Sequence, residues 1–154
     1  MTYAAIRIRG TVNVKPDIKK TLQLLNLTKS NHCVILQEKP TTKGMLKVAK
    51  DYITWGEIEK NTLTKLISTR GKIEGDKPLT DDYIKSATSY ATIDKLSQAI
   101  IDEKLIYKEI PEVKPVLRLN PPKKGYEGIK RSFSNKGALG YRGKDINKLI
   151  ERMI

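Results

Sequence analysis

Within residues 1–58, apolar residues recur with the spacing of strands in three places. In residues 4–9, apolar and basic positions alternate, with Ala4, Ile6 and Ile8 on one side, which predicts a half-buried strand. Residues 33–36 (CVIL) form a short unbroken apolar run, which favours an internal strand. Residues 52–58, around Trp55, return to β-type side chains and predict a third strand, with Gly56 at its end or at a bulge.

Two helical patterns separate these strands. Pro16 opens the first helix, and Ile18, Leu22 and Leu25 follow at i, i+4 and i+7. The second helix follows Pro40, with Thr41 and Thr42 as the predicted N-cap. Strand, helix, strand, helix and strand in this order predict an α/β (α+β) fold, with one sheet and helices on one face.

The remaining chain predicts further helices and one short strand. Asn61 is the expected cap of a helix that stops at Arg70-Gly71, and Thr80 and Thr92 are the expected caps of two more. A short strand is expected at residues 116–119. A terminal helix carries an apolar stripe of Ile146, Leu149, Ile150 and Met153. We expect three parts, which are a core at 1–58, a helical extension at 59–113 and a basic segment with a closing helix at 114–154.

Charge changes this picture most strongly near the C-terminus. The chain has 30 Lys or Arg and 17 Asp or Glu among 154 residues, a net charge of +13. Between Lys114 and Lys144, nine bases face one acid, Glu127, and five of the ten glycines lie there too. This stretch has too few apolar residues to form a conventional core, so we expect a loop pinned at both ends and mobile without a partner. Its charge and aromatic residues favour contact with RNA.

The candidate RNA-binding residues are basic or polar side chains in the strands, the connecting loops and the basic segment. Arg7 and Arg9 are expected to share one strand face, which either is solvated or faces RNA. Arg131 and Arg142 are the strongest candidates, because a guanidinium can hold a phosphate with two hydrogen bonds. The complete set is Arg7, Arg9, Lys29, Asn31, His32, Lys43, Lys123, Lys124, Lys130, Arg131, Lys136, Arg142 and Lys144.

Several classes of function lack their residues in this sequence. Cys33 and His32 are the single cysteine and histidine, so a zinc site of the usual composition is impossible, and we expect no metal and no cofactor. Cys33 is expected to be a small buried residue. No phosphate-binding glycine loop, Ser/His/Asp arrangement or HExxH motif occurs, which predicts no catalysis and no small-molecule substrate. No apolar run approaches the roughly 20 residues of a membrane span, and no signal-peptide pattern occurs, so we expect a cytoplasmic protein without membrane contact.

Five stretches of the chain resemble a known family. They are residues 7–27 (RIRGTVNVKPDIKKTLQLLNL), 31–33 (NHC), 44–58 (GMLKVAKDYITWGEI) and the C-terminal NPPKKGYEGIKRSF and GALGYRGKDINKLIERMI. Together they are similar to the large-ribosomal-subunit protein family called L-thirty in bacteria, in its longer archaeal form, which is related to eukaryotic L-seven. The resemblance implies a ferredoxin-like βαβαβ core, carrying a helical insertion and a basic C-terminal extension, without catalytic activity.

The resemblance and the charge together favour a structural protein of the large ribosomal subunit, bound to ribosomal RNA in the cytoplasm. Neighbouring ribosomal proteins are possible partners for the acidic helices in residues 80–104. Two alternatives stay open. One is an RNA-processing or RNA-modifying protein, for which no cofactor or acid–base group is visible. The other is an RNA-binding adaptor outside the ribosome, whose protein partner docks on residues 80–104.

Overall fold

The computed structural model describes residues 2–10 and 12–154. Its helices are α1 (Pro16–Leu24), α2 (Pro40–Val48), α3 (Lys60–Arg70), α4 (Asp81–Ala87), α5 (Ile93–Ile101) and α6 (Ile146–Met153). Its strands are β1 (Thr2–Arg7), β2 (His32–Gln37), β3 (Ile53–Glu57), β4 (Lys72–Ile73), β5 (Lys77–Pro78), β6 (Leu117–Arg118), β7 (Gly128–Ser132) and β8 (Gly137–Tyr141). The expected order of three strands and two helices in the first 58 residues is confirmed.

Six strands form one sheet in the order β6-β2-β1-β3-β8-β7, and β4 and β5 form a separate hairpin. β1 lies in the centre and runs antiparallel to both β2 and β3, so that Ala4 is opposite Ile35 on one side and Gly56 on the other. β6 is antiparallel to β2, and β8 is parallel to β3. The ferredoxin-like core is therefore extended by one strand at one edge and by two at the other.

Alternate residues of β1 contact two different layers of helices. Tyr3 and Ala5 pack with Leu22 and Leu46 of α1 and α2. All six residues of β1 are buried, so the expectation of a half-buried strand is wrong. Ala4 and Ile6 point to the other face and pack against α3, α5 and α6 in a larger cluster that includes Leu63, Leu66, Leu96, Ile100, Leu149 and Ile150. This second face is therefore covered by helices of the chain itself, and it is not open to RNA.

Two of the four predicted helix caps are confirmed. The hydroxyls of Thr80 and Thr92 accept hydrogen bonds from the third residue beyond them, at the start of α4 and α5. The caps predicted at Thr41/Thr42 and Asn61 are wrong, because these residues already lie inside α2 and α3. α2 begins at Pro40, whose ring fixes a helical φ. The absence of an N–H group on proline costs no hydrogen bond here, because N–H groups in the first turn of a helix have no acceptor within the helix.

The basic segment differs from the expected mobile loop, because it contributes β7 and β8. β8 pairs with β3, and Ala138 and Leu139 are buried against Ile8 and Tyr126. A side chain at Gly137 would overlap the carbonyl group of Arg131, so glycine permits the close packing of β7 and β8. Few apolar residues are needed to fold this segment, because its backbone N–H and C=O groups form hydrogen bonds with an existing sheet.

Cys33 is fully buried, as expected, and burial raises the pKa of its thiol to about 12. Within residues 2–10 and 12–154, no helix is both long and apolar enough to cross a membrane. In the same ranges, no three His, Cys, Asp or Glu side chains are grouped in a way that could hold a metal ion.

Candidate nucleic-acid interface

The two ends of the central sheet differ in charge. At one end β1 finishes and β2 and β3 begin, since Ile6 is opposite both Cys33 and Thr54. β6 also finishes there, with Arg118 opposite His32. We call this surface the basic end and define it by five segments, which are residues 8–10, 28–32, 49–52, 118–127 and 133–137.

The basic end collects cations from distant parts of the chain. Its acids are Asp51 and Glu127, and its bases are Arg9, Lys29, Lys50, Arg118, Lys123, Lys124 and Lys136. All of these bases except the half-buried Arg9 are exposed. Seven bases against two acids produce a positive potential, which attracts a polyanion.

An acidic pocket of about 430 Å³ lies at the opposite end of the sheet. It is lined by the acids Glu57, Glu59, Asp102 and Glu103, and Lys144 is the one base among its described lining residues. Lys144 is therefore separated from the candidates at the basic end by the length of the sheet. The sequence predicted that Lys144 lies in one RNA-facing loop with the other bases of the basic segment, whereas the structure places Lys144 beside the acidic pocket.

Arg9 is held at the basic end by its neighbours. Its guanidinium lies 4.9 Å from the centre of the Tyr52 ring, and one of its N–H groups donates to the carbonyl oxygen of Asp51 at 3.5 Å. A cation over an aromatic face is oriented without being neutralised. Arg9 therefore remains available to a phosphate.

Asn31 connects three parts of the basic end. Its backbone N–H donates to the carbonyl oxygen of Arg7 at 2.7 Å, and its own carbonyl oxygen accepts from the N–H of Leu119 at 3.1 Å. Its side-chain oxygen accepts a hydrogen bond from the hydroxyl of Tyr126 at 2.7 Å. These contacts attach the start of the basic segment to the ends of β1 and β6.

His32 contributes little positive charge. Desolvation lowers the pKa of its imidazole, and the charges of Arg118, Lys29 and Arg7 lower it further. Its Nδ1 is buried without a hydrogen-bond partner among the described residues. A histidine with a lowered pKa is neutral at pH 7, so His32 can offer a hydrogen bond to RNA but does not neutralise a phosphate.

Arg7 does not share an exposed face with Arg9, and this expectation is wrong. Only 3% of Arg7 is exposed, and its guanidinium donates to the carbonyl oxygens of Leu27 (2.8 Å), Arg9 (2.9 Å) and Gly10 (3.1 Å). The pKa of Arg7 is lowered by burial, but arginine stays charged at neutral pH. Its role is to join the loops after β1 and α1.

Arg142 is also buried, although the sequence ranked it among the strongest RNA contacts. It is 6% exposed, and it donates to the hydroxyl of Thr54 at 2.8 Å and to the carbonyl oxygen of Ala138 at 2.7 Å. Its guanidinium also lies 5.0 Å from the centre of the Phe133 ring. These contacts fasten β8 to β3, because Thr54 lies in β3 and donates in turn to Gly140 at 2.8 Å.

We expect Arg142→Gln to lower the free energy of unfolding by about 2 kcal/mol, because buried hydrogen bonds from a charged group are lost. The exposed Arg131→Gln should change it by less than about 0.5 kcal/mol. Urea denaturation of both variants measures the difference. Equal stabilities would show that Arg142 does not hold β8 in place.

Three further candidates have distinct surroundings. Lys130 and Arg131 are exposed on the edge strand β7. Lys43 forms an ion pair with Glu38 at 2.7 Å, which raises the pKa of the lysine, and it lines a shallow pocket with Lys47, Trp55 and Tyr141. Trp55 is half-buried and packs against Tyr141, with 6.2 Å between ring centres.

Three cations at or beside the basic end are absent from the candidates predicted from the sequence. Arg118 and Lys50 belong to the basic end, and Arg152 reaches it from α6 by donating to the carbonyl oxygen of Lys123 at 3.0 Å. Arg118 could have been found, since it lies in the strand predicted at residues 116–119, directly before the rest of the basic segment. Lys50 and Arg152 carry no such signal, because ordinary surface lysines and helix-terminal arginines have the same pattern.

Comparison with known proteins agrees with this architecture. The family model described as "Ribosomal protein L30p/L7e" matches residues 3–53. Large ribosomal subunit protein uL30 of Thermoplasma volcanium is 51% identical over 98% of this chain and 92% of its own length. The proteins of the same name from Methanosphaera stadtmanae and Methanocorpusculum labreanum are 49% and 47% identical, over 98–99% of both chains. The similarity thus includes the core, the helical extension and the basic segment, and the chain belongs to the large ribosomal subunit protein uL30 family.

Proposed function

We propose that this protein is a structural constituent of the large ribosomal subunit in the cytoplasm and that it binds ribosomal RNA with its basic end. Its relatives carry the name of a large-subunit protein along nearly their whole length. The observation that carries the RNA-binding surface is the gathering of seven bases and two acids at one end of the sheet, with an acidic pocket at the other. A molecule polarised in this way has one side for a polyanion and one side turned away from it.

The binding mechanism we propose is phosphate neutralisation combined with shape fit. The major groove of A-form RNA is deep and narrow, so side chains reach phosphates and 2′-hydroxyls more easily than base edges. Arg9, Lys29, Lys123, Lys124 and Lys136 at the basic end, with Lys130 and Arg131 on β7, are the proposed phosphate contacts. Asn31 and His32 are uncharged and would supply hydrogen bonds beside them.

We further propose that α4 and α5 contact a neighbouring ribosomal protein. Their exposed acids include Asp81, Asp82, Asp94 and Asp102, whose charge repels RNA phosphates. The Asp81 carboxylate also accepts from the N–H of Ile93 at 2.9 Å, which fixes α4 against the start of α5. A rigid acidic surface of this kind suits a basic protein segment.

Sedimentation of a cell lysate tests the proposed function. The protein should migrate in a one-to-one ratio with the large ribosomal particle and remain there at moderate salt. Recovery in the light fractions, bound to other RNA or to a single protein partner, would favour the adaptor outside the ribosome and contradict the proposal.

A further inference from the structure

A second group of cations lies outside the surface that the sequence analysis assigned to RNA. It surrounds a cavity of about 270 Å³ between the end of α3, the start of β4, the residues before β6 and β6 itself. We call it the cation pocket, and its lining residues are Arg70, Lys72, Asp76, Lys114, Val116 and Arg118.

The charges in the cation pocket are not balanced. The Asp76 carboxylate is its one acid, and it pairs with the Lys114 ammonium at 2.6 Å, which lowers the pKa of Asp76. In the part of the chain that the structure describes, none of Arg70, Lys72 and Arg118 forms an ion pair. Three cations therefore remain without a carboxylate partner around one cavity.

Arg70 carries a second indication of a missing anion. Its Nε–H is buried and has no hydrogen-bond partner among the described residues. Buried polar groups are nearly always hydrogen-bonded, so an orphaned donor on a residue that lines a cavity indicates an absent acceptor. An anion oxygen would satisfy it with a charge-assisted hydrogen bond.

The backbone holds the pocket in shape without a ligand. The N–H of Lys114 donates to the carbonyl oxygen of Lys72 at 2.9 Å, and the N–H of Leu79 donates to that of Gly71 at 3.0 Å. Arg118 is fixed by the pairing of β6 with β2, opposite His32. Segments distant in sequence are thus tied together around the cavity, which reduces the entropy lost when an anion binds.

We propose that the cation pocket binds a backbone phosphate of the ribosomal RNA strand that lies along the basic end. This inference rests on the proposed function. Arg118 belongs to both surfaces, so a strand that follows the basic end past His32 reaches the pocket without leaving the protein. Lys72, Arg70 and Arg118 would surround the phosphate, and the Lys114–Asp76 pair would form the wall behind it.

The salt dependence of RNA affinity tests the proposal in the full-length chain. The double variant Lys72→Gln/Arg118→Gln is compared with the matched control Lys85→Gln/Lys95→Gln, which removes two exposed lysines from α4 and α5. The slope of log affinity for large-subunit ribosomal RNA against log salt should flatten by about 0.7 for each lost phosphate contact in the pocket variant. The control slope should stay at the wild-type value.

The outcomes separate this inference from the proposed function. Failure of the wild-type protein to bind ribosomal RNA would overturn both. Tight wild-type binding with an unchanged slope in the pocket variant would overturn the cation pocket alone. If the double variant unfolds at lower urea than the wild type, the single change Lys72→Gln is measured by the same criterion, because Lys72 lies in the cation pocket and outside the basic end.

Binding experiments with inorganic phosphate and with polyglutamate test whether the cation pocket takes a different ligand. In NMR spectra of the wild-type protein, the Arg70 Nε–H signal should shift when ribosomal RNA is added. A shift with inorganic phosphate alone, with the RNA slope unchanged in the variant, would make this a site for free phosphate and overturn the proposal. Loss of polyglutamate binding in the variant, with RNA binding intact, would assign the pocket to an acidic peptide and overturn it as well.

Discussion

Replacing Lys123, Lys124, Arg131 and Lys136 with glutamine is expected to flatten the slope of log affinity for ribosomal RNA against log salt by about 3. Each neutralised phosphate contributes roughly 0.7 to that slope for single strands, and these four side chains are exposed. Affinity at low salt should fall by several orders of magnitude. Filter binding across a range of salt concentrations measures both quantities.

The matched control changes the same number of charges elsewhere. Lys85, Lys95, Lys104 and Lys108 are also exposed, and they lie on or near the acidic helices α4 and α5. Their replacement with glutamine should leave the slope within about 0.5 of the wild-type value, apart from a small general loss of attraction. Equal flattening in both variants would show that net charge, and not the basic end, determines binding.

Substitution is a better test than deletion of residues 120–144. This stretch contains β8, whose pairing with β3 and whose buried Ala138 and Leu139 belong to the folded body. Removing it would damage the sheet and confuse loss of RNA contact with loss of folding. The four chosen side chains avoid this problem, because their removal leaves the backbone pairs intact.

The second large effect is expected from Gly56→Ala, which should lower the free energy of unfolding by about 3 kcal/mol. A methyl group at Gly56 would overlap the carbonyl oxygen of Gly143 and lie 3.1 Å from the Cβ of Ile146. Gly56 is in β3 and fully paired with β1, so neither strand can move easily. Overpacking against backbone has a cost of this size.

Gly44→Ala is the control for Gly56→Ala. Gly44 lies in α2, and a methyl group there would meet nothing within 4 Å. Alanine in place of a helical glycine should raise the free energy of unfolding by about 0.5–1 kcal/mol. Urea denaturation of both variants measures whether the free energy of unfolding falls for Gly56→Ala and rises for Gly44→Ala. A neutral Gly56→Ala would show that Gly143 and the start of α6 are free to retreat from β3.

Gly56 also illustrates where sequence reasoning stopped. A glycine in a strand pattern predicts a strand end, a bulge or a close approach of another backbone, and the sequence favoured the first two. The structure shows the third, with Gly143 as the approaching residue. No local pattern indicates which distant segment comes close, because the approach depends on how α6 docks against the sheet.

The local pattern of the sequence determined the order of the six helices and of the strands β1, β2, β3 and β6, whereas β4, β5, β7 and β8 were not predicted. The apolar stripe of α6 is buried as predicted, and the Thr80 and Thr92 caps are formed. These features depend on contacts between residues a few positions apart, which periodicity records directly. The ribosomal family was likewise recognisable from five stretches of sequence.

Tertiary structure alone decided which cations face outward. Arg7 and Arg142 are the same residue type as Arg9 and Arg131, but each of the first two has buried oxygen acceptors for its guanidinium. For Arg142, Thr54 lies 88 residues away. The register of the sheet likewise brings Arg118 beside His32 and places Lys144 at the acidic pocket. A guanidinium is buried only where the fold places oxygen acceptors around it. These acceptors belong to residues far apart in the chain, so the local sequence does not indicate them.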